Sequence, residues 1–223
     1  MSKNTNTLGV LGLGSRSTLY YLHALNKAFH AEEQGYSTCP LILYNINFNE
    51  INPYLPNQFQ NLLPKLSIYL QQIENFPISH LLLPNITIHE AIDKLETTLK
   101  IIHPLHLTIT FLKQHNMKQV VVFGSKYTMT STYLSNYFSS EGIQTTSPSK
   151  EDVEFIDTLR QKIYLNTETL ADINIYNTLV ANYTKKTLVL IACTELSILK
   201  HPTHVLDMAK LQIKEAIKQI KQH

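Results

Sequence analysis

The side chain in this sequence that is best suited to catalysis is Cys193, which follows the apolar run Leu188 to Ala192 and opens the triplet Cys-Thr-Glu. A thiol that ends a buried strand and begins a helix has its thiolate stabilised by the helix dipole, and a thiolate can act as a base. A buried cysteine with a purely structural role is the alternative. The other cysteine, Cys39, precedes Pro40 where a predicted strand begins. That is the wrong end of a strand for a ligand site, so we predict a structural role for Cys39.

Two Gly-Ser turns supply groups that bind anions. The segments Leu13 to Thr18 (L-G-S-R-S-T) and Phe123 to Thr128 (F-G-S-K-Y-T) each follow an apolar run and open a helical pattern. Backbone N–H groups at a helix N-terminus, together with nearby hydroxyls, suit a carboxylate as well as a phosphate. The predicted substrate-binding residues on these turns are Gly14, Ser15, Arg16, Ser17, Thr18, Ser125, Tyr127 and Thr128. The run Gly12 to Gly14 lacks the third glycine of a dinucleotide fingerprint, so we expect no nicotinamide cofactor.

A third turn, Asn85-Ile86-Thr87, follows the run His80 to Pro84, and its offset from Cys193 nearly equals the offset between the two Gly-Ser turns. The repeat predicts two half-domains related by pseudo-twofold symmetry. Ligands of open α/β sheets bind at the carboxyl ends of the strands, so we predict a site in a cleft between the halves. His89, early in the next helical pattern, is predicted either to hydrogen-bond near that cleft or to be a satisfied, half-buried histidine.

Apolar runs and helical patterns alternate along the chain, which predicts an α/β architecture. Runs that are apolar on both faces are typical of parallel strands covered by helices. The predicted strands are Leu8 to Leu13, Pro40 to Ile46, His80 to Pro84, Gln119 to Phe123 and Leu188 to Ala192. The predicted helices are Thr18 to Glu33, Pro56 to Asn75, His89 to Lys100, Thr130 to Glu141, Lys150 to Tyr164 and Asn174 to Tyr183. We predict a first half over 1–103, a second half over 104–204, and a C-terminal helix over 205–223 that packs back onto the first half.

The composition narrows the class of protein. The chain has 223 residues, 43% hydrophobic and 16% charged, with a formal net charge of +2, which indicates a globular protein and no nucleic-acid partner. Its apolar runs are too short to span a bilayer, and its polar N-terminus has no leader-peptide pattern. Two cysteines imply no disulfide framework. These features predict a cytoplasmic protein without membrane contact. The histidine pairs His103/His106 and His201/His204 have no acidic or cysteine partners at metal-ligand spacing, so no metal is expected.

Several of these turns resemble motifs of the aspartate/glutamate racemase family. The segment Leu188 to Leu199 (L-V-L-I-A-C-T-E-L-S-I-L) closely resembles the second cysteine motif of that family, and Val121 to Met129 resembles its mid-chain Gly-Thr/Ser loop. Gly142 to Asp152, Leu8 to Tyr21 and Tyr44 to Ile51 are similar to further strands and loops. The resemblance covers nearly the whole chain.

The resemblance implies a cofactor-independent racemase that acts on a small amino acid or dicarboxylate, with a homodimer as the expected assembly. In the family two cysteines face the substrate Cα from opposite sides, one removing a proton and the other returning one. Here Cys193 is the implied base on one face, with Thr194, Glu195 and His89 beside the substrate. The Gly-Ser loops would hold the substrate carboxylate. Of the two arginines, Arg16 is better placed than Arg160 for a distal carboxylate, although a solvent-facing loop charge is the alternative for Arg16.

The sequence departs from the family at the first cysteine. Where the family has Cys-Asn-Thr-x-His, this chain has Asn85-Ile86-Thr87-Ile88-His89, which puts Asn85 at the cysteine position. A one-residue slip would instead put Pro84 there, and neither register supplies a thiol. Water or the Thr87 hydroxyl would then have to serve the second face. Two further interpretations stay open: a decarboxylase like the arylmalonate decarboxylases, which also keep only the second cysteine, and a catalytically silent binding protein.

Restoring the missing thiol tests the Asn85 register. We expect Asn85→Cys to raise racemisation in both directions, and Asn85→Cys combined with Ile86→Asn to raise it further, because the two groups act on one transition state. Circular dichroism at a wavelength that reports substrate handedness measures the rate. A double variant that folds and binds but racemises no amino acid would contradict this placement.

Overall fold

The computed structural model describes residues 7–221, and their contacts divide the chain into two compact units. Of these residues, the first unit contains 7–103 and 211–221, and the second contains 104–210. The segment 205–210, which the sequence assigned to the C-terminal helix of the first half, therefore belongs to the second unit. The reason is that Val205–Asp207 forms a strand that pairs with Leu188–Ala192.

The first unit is built on a three-stranded parallel sheet in the order β2-β1-β3. Its strands are β1 (Leu8–Gly12), β2 (Leu41–Asn45) and β3 (His80–Leu82). Its helices are α1 (Ser15–Glu33), α2 (Phe59–Ile73) and the short α3 (His89–Ile92), with 3-10 turns at Phe48–Glu50 and Asn52–Tyr54. The central strand β1 is buried along its whole length, as expected for a strand with neighbours on both sides and helices over the sheet.

Helix α2 shows why this unit folds as it does. Its buried residues recur at helical spacing, so one apolar stripe faces the core of the unit. The stripe consists of Leu62, Leu66, Leu70 and Ile73. It packs with residues that follow β1 and β3, including Leu13, Leu83 and Ile88.

The second unit carries a four-stranded parallel sheet in the order β5-β4-β6-β7. Its strands are β4 (Gln119–Gly124), β5 (Gln144–Thr146), β6 (Leu188–Ala192) and β7 (Val205–Asp207). Its helices are α4 (Pro104–Gln114), α5 (Lys126–Thr130), α6 (Thr132–Ser139), α7 (Lys150–Leu165) and α8 (Leu170–Thr184), with a 3-10 turn at Leu196–Ile198. In both units the first strand lies between the second and the third, so the repeat seen in the sequence is also a repeat of topology. The predicted α/β class with parallel sheets covered by helices is confirmed.

The prediction of a helix from His89 to Lys100 was wrong beyond the first turn, because the later residues form hydrogen bonds with other parts of the unit instead. The Glu74 carboxylate accepts hydrogen bonds from the Thr97 hydroxyl at 2.9 Å and from the Thr98 amide at 3.0 Å. Further on, the Leu81 amide of β3 donates to the Lys100 carbonyl at 2.8 Å, so the chain runs beside the sheet in an extended form. Backbone pairing and a carboxylate acceptor outweigh a helical propensity of a few tenths of a kcal/mol per residue.

Two other differences have local causes. Helix α8 begins at Leu170, four residues before the predicted start, because Thr169 and Asp172 form a capping box. Helix α4 (Pro104–Gln114) was not among the predicted helices. Pro104 is its first residue, a position at which proline is favoured.

Helix α9 (Met208–Lys221) ends the described chain and connects the two units in sequence. Its Gln212 side chain is completely buried and accepts a hydrogen bond from the Tyr21 hydroxyl at 2.6 Å. The same side chain donates to the Ile102 carbonyl at 2.8 Å. One buried amide thus ties the C-terminal helix to α1 and to the segment that ends the first unit. Among residues 7–221, no helix is both long and apolar enough to cross a membrane.

We expect Gln212→Leu to lower the free energy of unfolding by about 1–3 kcal/mol, because it removes two buried hydrogen bonds and leaves their partners in an apolar setting. Urea unfolding monitored by circular dichroism measures the change. Gln219→Leu, on the same helix but only partly buried, is the matched control and should stay within about 0.5 kcal/mol. Equal losses from both variants would contradict a special role for Gln212.

Candidate active site

The turn after β1 begins α1 and holds the first group of predicted binding residues. Gly14 is the N-cap of α1, and its carbonyl accepts from the Thr18 amide at 2.9 Å and from the Ser17 hydroxyl at 3.3 Å. Ser15 is exposed and Arg16 is half-buried. Thr18 is 4% exposed, and its hydroxyl has no hydrogen-bond partner among the described residues.

The turn after β3 is held together by its own side chains. The Asn85 side-chain oxygen accepts from the Ile88 amide at 3.1 Å, and the Asn85 carbonyl lies 2.9 Å from Nδ1 of His89. Thr87 is half-buried between them. The Asn85 carboxamide thus stabilises the loop backbone, a role that asparagine commonly takes in turns. A cysteine at this position would lose the bond to Ile88.

His89 is completely buried, not half-buried as one of the two predictions required. Its Nδ1 faces the Asn85 carbonyl and must carry the proton, since a carbonyl oxygen only accepts. Burial, with a smaller contribution from His103, lowers the pKa of His89 to about 3, so the ring is neutral at physiological pH. The His103 ring packs edge-on against it at 4.8 Å, and His103 Nε2 lies 3.2 Å from the Asp93 carboxylate. His89 therefore fixes the shape of the Asn85 loop without carrying charge.

The turn after β4 holds the Gly-Ser motif of the second unit. The Ser125 hydroxyl caps α5 by accepting from the Thr128 amide at 3.1 Å, and it lies 2.7 Å from the Thr128 hydroxyl. Gly124 allows this arrangement, because a Cβ there would lie 3.0 Å from the Ala192 carbonyl and 3.2 Å from Thr128. The Thr128 side chain therefore packs against Gly124, which pairs with Ala192 at the end of β6, directly before Cys193. Tyr127 is half-buried on the same turn.

The Cys193 thiol is 8% exposed and donates a hydrogen bond to Oε2 of Glu195 at 3.0 Å. The buried Thr194 hydroxyl donates to the same carboxylate oxygen at 3.3 Å. A thiol, a hydroxyl and a carboxylate thus meet directly after the carboxyl end of β6. A thiol hydrogen-bonded to a carboxylate can pass its proton to that carboxylate and take it back, which suits acid–base chemistry.

Burial, followed by the negative charge of Glu195 and its hydrogen bond, raises the pKa of the Cys193 thiol well above its ordinary value. The charge of Arg160 and a hydrogen bond from the Leu196 amide lower the pKa of the thiol, but their effects are smaller. The thiol is therefore protonated at neutral pH. The prediction of a thiolate stabilised by a helix dipole was wrong, because Cys193 does not begin an α-helix: the element that follows it is the three-residue 3-10 turn Leu196–Ile198.

Arg160 lies on α7, and its Nε donates to the Asp157 carboxylate at 2.7 Å. The Lys126 amide, on the Gly-Ser turn, donates to the same oxygen at 2.8 Å. The charge of Arg160 favours the Cys193 thiolate, but its effect on the thiol pKa is smaller than the effects of burial and Glu195. The sequence favoured Arg16 as the arginine for a distal carboxylate, and that assignment stays a prediction.

Two further residues that the sequence did not single out support the Cys193 loop. The Ser197 hydroxyl lies 3.2 Å from the Cys193 carbonyl and donates to the Asp207 carboxylate at 2.8 Å. Asp207 is buried, which raises its pKa, and it also accepts from the Ala209 amide at 2.9 Å at the start of α9. Tyr176 is completely buried and interacts electrostatically with both Cys193 and Asp207. Ser197 lies within the motif that follows Cys193, but no sequence signal indicated Asp207 or Tyr176.

Within residues 7–221 no group of three or more His, Cys, Asp or Glu side chains is arranged to hold a metal ion.

Solved structures of other proteins share this fold. A candidate Asp/Glu racemase from Yersinia pestis matches with a TM-score of 0.83 and 20% identity, over 97% of this chain and 99% of that one. An aspartate racemase homologue from Pyrococcus horikoshii OT3 also gives 0.83 and 20%, over 98% and 100%. The aspartate racemase of Picrophilus torridus gives 0.79 and 17%, over 96% and 94%. Arylmalonate decarboxylase matches with 0.52 and 11%, over 97% and 93%.

No protein-family model matches the chain, and no curated protein sequence does. At these identities the structural matches establish the fold and not the activity. The resemblance read from the sequence is thus confirmed at the level of the fold.

Removing the charge of Glu195 should make Cys193 more reactive. In a Cys39→Ala background, where Cys193 is the only cysteine, we expect Glu195→Gln to raise the rate of alkylation by iodoacetamide at pH 8. Glu195 raises the thiol pKa, and each pKa unit lost multiplies the thiolate fraction by about ten. Mass spectrometry of the alkylated chain measures the rate.

Glu154→Gln is the matched control, since Glu154 pairs with Lys126 on the surface. It should leave the alkylation rate unchanged. A Glu195→Gln variant that reacts no faster than its parent would show that the carboxylate does not control the thiol.

Proposed function

We propose that this chain is a cofactor-independent isomerase that moves a proton at the Cα of a small amino acid or related α-substituted acid, with Cys193 as its one thiol. The observation that carries the proposal is the 3.0 Å hydrogen bond from the Cys193 thiol to Glu195 at the end of β6. The fold shared with aspartate racemase structures supports the same reaction class.

The proton balance follows from this pair. Glu195 takes the thiol proton, and the resulting thiolate takes the Cα proton, so the thiol is restored and Glu195 is left protonated. The Leu196 amide and the charge of Arg160 favour the transient thiolate. The electron pair released from Cα moves into the substrate carboxylate, where hydrogen-bond donors must stabilise it. The Ser125 and Thr128 hydroxyls and the Arg160 guanidinium are the donors of the second unit that we assign to this role.

The chemistry is expected to be asymmetric, because Asn85 is not a base near neutral pH. One enantiomer should therefore exchange its Cα proton faster than the other, and by the family resemblance the L-enantiomer is the faster one. On the second face, water or the Thr87 hydroxyl would have to return the proton. If this return is slow, the Cα proton will exchange with solvent faster than the substrate racemises.

Incubating the chain with aspartate, glutamate and other amino acids in D₂O, and following the Cα proton by NMR, tests the proposal. Cys193→Ala should reduce the exchange rate by about 10²-fold to 10⁴-fold, as loss of a catalytic base does. Cys39→Ala is the matched control, since Cys39 is also buried and its pKa is raised to about 11 by burial alone. Cys39→Ala should keep full activity.

Two outcomes would count against this function. Exchange that survives in Cys193→Ala would remove the thiol from the mechanism. Saturable binding of amino acids without exchange, in a folded wild-type chain, would instead indicate a silent binding protein.

A decarboxylase is the second candidate, and the protonated state of Cys193 favours it. A neutral thiol held by a carboxylate is ready to donate a proton to the enediolate that loss of CO₂ creates, and no second thiol is needed. Release of CO₂ from an arylmalonate, together with a lack of Cα exchange in amino acids, would select this function over the isomerase.

A further inference from the structure

His201 lies in the loop that connects the 3-10 turn after Cys193 to strand β7, and it is half-buried there, whereas His204 in the same loop is exposed. Its Nε2 atom lies 3.0 Å from the Leu196 carbonyl oxygen. Because a carbonyl oxygen only accepts hydrogen bonds, Nε2 must carry the ring proton and donate it. His201 is therefore a donor to the first residue of the 3-10 turn.

Leu196 connects this histidine to the thiol. Its amide donates a hydrogen bond to Cys193, which favours the thiolate. Its carbonyl accepts from the Leu199 amide at 3.1 Å as well as from His201. A residue has only two soft backbone dihedrals, so a bond that holds its carbonyl also restricts its amide. The N–H of His201 thus acts, through one residue, on the donor that faces the sulfur.

The His201 ring is itself held by its neighbours. It packs on the completely buried Tyr176 ring of α8, with centroids 5.9 Å apart and planes at 63°. Burial, followed by the positive charge of Lys210 on α9, lowers the pKa of His201 to about 4, and the bond to Leu196 acts in the opposite direction with a smaller effect. The ring is therefore neutral at physiological pH, with its one proton on Nε2.

The 3-10 turn has a second anchor that does not involve His201. The Ser197 hydroxyl donates to the Asp207 carboxylate at 2.8 Å, and the Ser197 amide donates to the Cys193 carbonyl at 3.2 Å. These bonds fix the residue after Leu196. We therefore expect substitutions of His201 to leave the turn in place and to change how firmly Leu196 is held.

We propose that His201 is a positioning residue for Cys193, which keeps the Leu196 amide directed at the sulfur by holding the Leu196 carbonyl. Without the His201 N–H, the hydrogen bond to the sulfur weakens, and a thiolate that loses a donor forms less readily. This effect concerns the thiol itself and needs no substrate. Its consequence for catalysis, a slower transfer of the thiol proton to Glu195, rests on the proposed isomerase function.

Alkylation of Cys193 by iodoacetamide at pH 8, in the Cys39→Ala background, tests the positioning role. His201→Phe keeps an aromatic ring against Tyr176 but has no N–H, and it should be alkylated at least threefold more slowly, which corresponds to about half a pKa unit. His201→Gln keeps an N–H donor and should react within about twofold of the parent. His204→Phe, with the same substitution at an exposed position of the loop, is the matched control and should leave the rate unchanged.

A purely structural role predicts the opposite result, since looser packing would expose the thiol and speed its alkylation. Hydrogen exchange followed by ¹H–¹⁵N NMR separates the two roles. In His201→Phe, the Leu196 amide should exchange at least fivefold faster, while the amides of β6, which pairs with β4, keep their rates. Alkylation of His201→Phe as fast as the parent or faster, an equally slow His201→Gln, or an unchanged exchange rate at Leu196 would each overturn the proposal.

The Cα exchange assay in D₂O on the same variants keeps this proposal distinct from the isomerase function. Slower alkylation of His201→Phe supports the positioning role even if the parent exchanges no Cα proton, a result that would count against the isomerase alone. If the parent does exchange, His201→Phe should lose at least threefold in kcat, with KM unchanged. An unchanged kcat in that case would overturn the role of His201 in the reaction.

Discussion

The burial of the central strands on both faces is the constraint on which the chemistry of this protein depends. Strands β1, β4 and β6 carry almost nothing but buried apolar residues, so polar side chains can appear only where these strands end. The turns that follow must therefore satisfy their own hydrogen bonds and supply any reactive groups. Ser125 and Glu195 do this after β4 and β6, and Asn85 does it after β3.

The same burial sets the protonation states of His89 and Cys193. His89 is neutral because desolvation lowers its pKa, and Cys193 is neutral because desolvation raises its pKa. A neutral histidine has one ring N–H, and His89 donates it to the Asn85 carbonyl, which holds the loop. A neutral thiol that is hydrogen-bonded to a carboxylate can exchange one proton with it, and the proposed reaction requires this step.

The hydrogen bonds that stabilise the Cys193 loop extend to the first turn of helix α9. Asp207 accepts from the Ser197 hydroxyl and from two backbone amides, so a single buried carboxylate fixes both the Cys193 loop and the first turn of the helix. Further along α9, Gln212 holds the helix to the first unit. Two buried polar side chains, Asp207 just before the helix and Gln212 in its second turn, thus hold the first half of α9.

The sequence by itself determined the α/β class, the parallel strands and the turns that carry Gly14, Asn85, Ser125 and Cys193. Each of these is encoded locally, by an apolar run followed by turn residues. Only the tertiary structure decided that the helix after His89 stops at Ile92, because Glu74 and β3 capture the residues beyond it. It alone also decided that Ser197 and Asp207 support the Cys193 loop, and that burial keeps the thiol protonated. Desolvation and charge act through distances between residues far apart in the chain, and no local pattern records those distances.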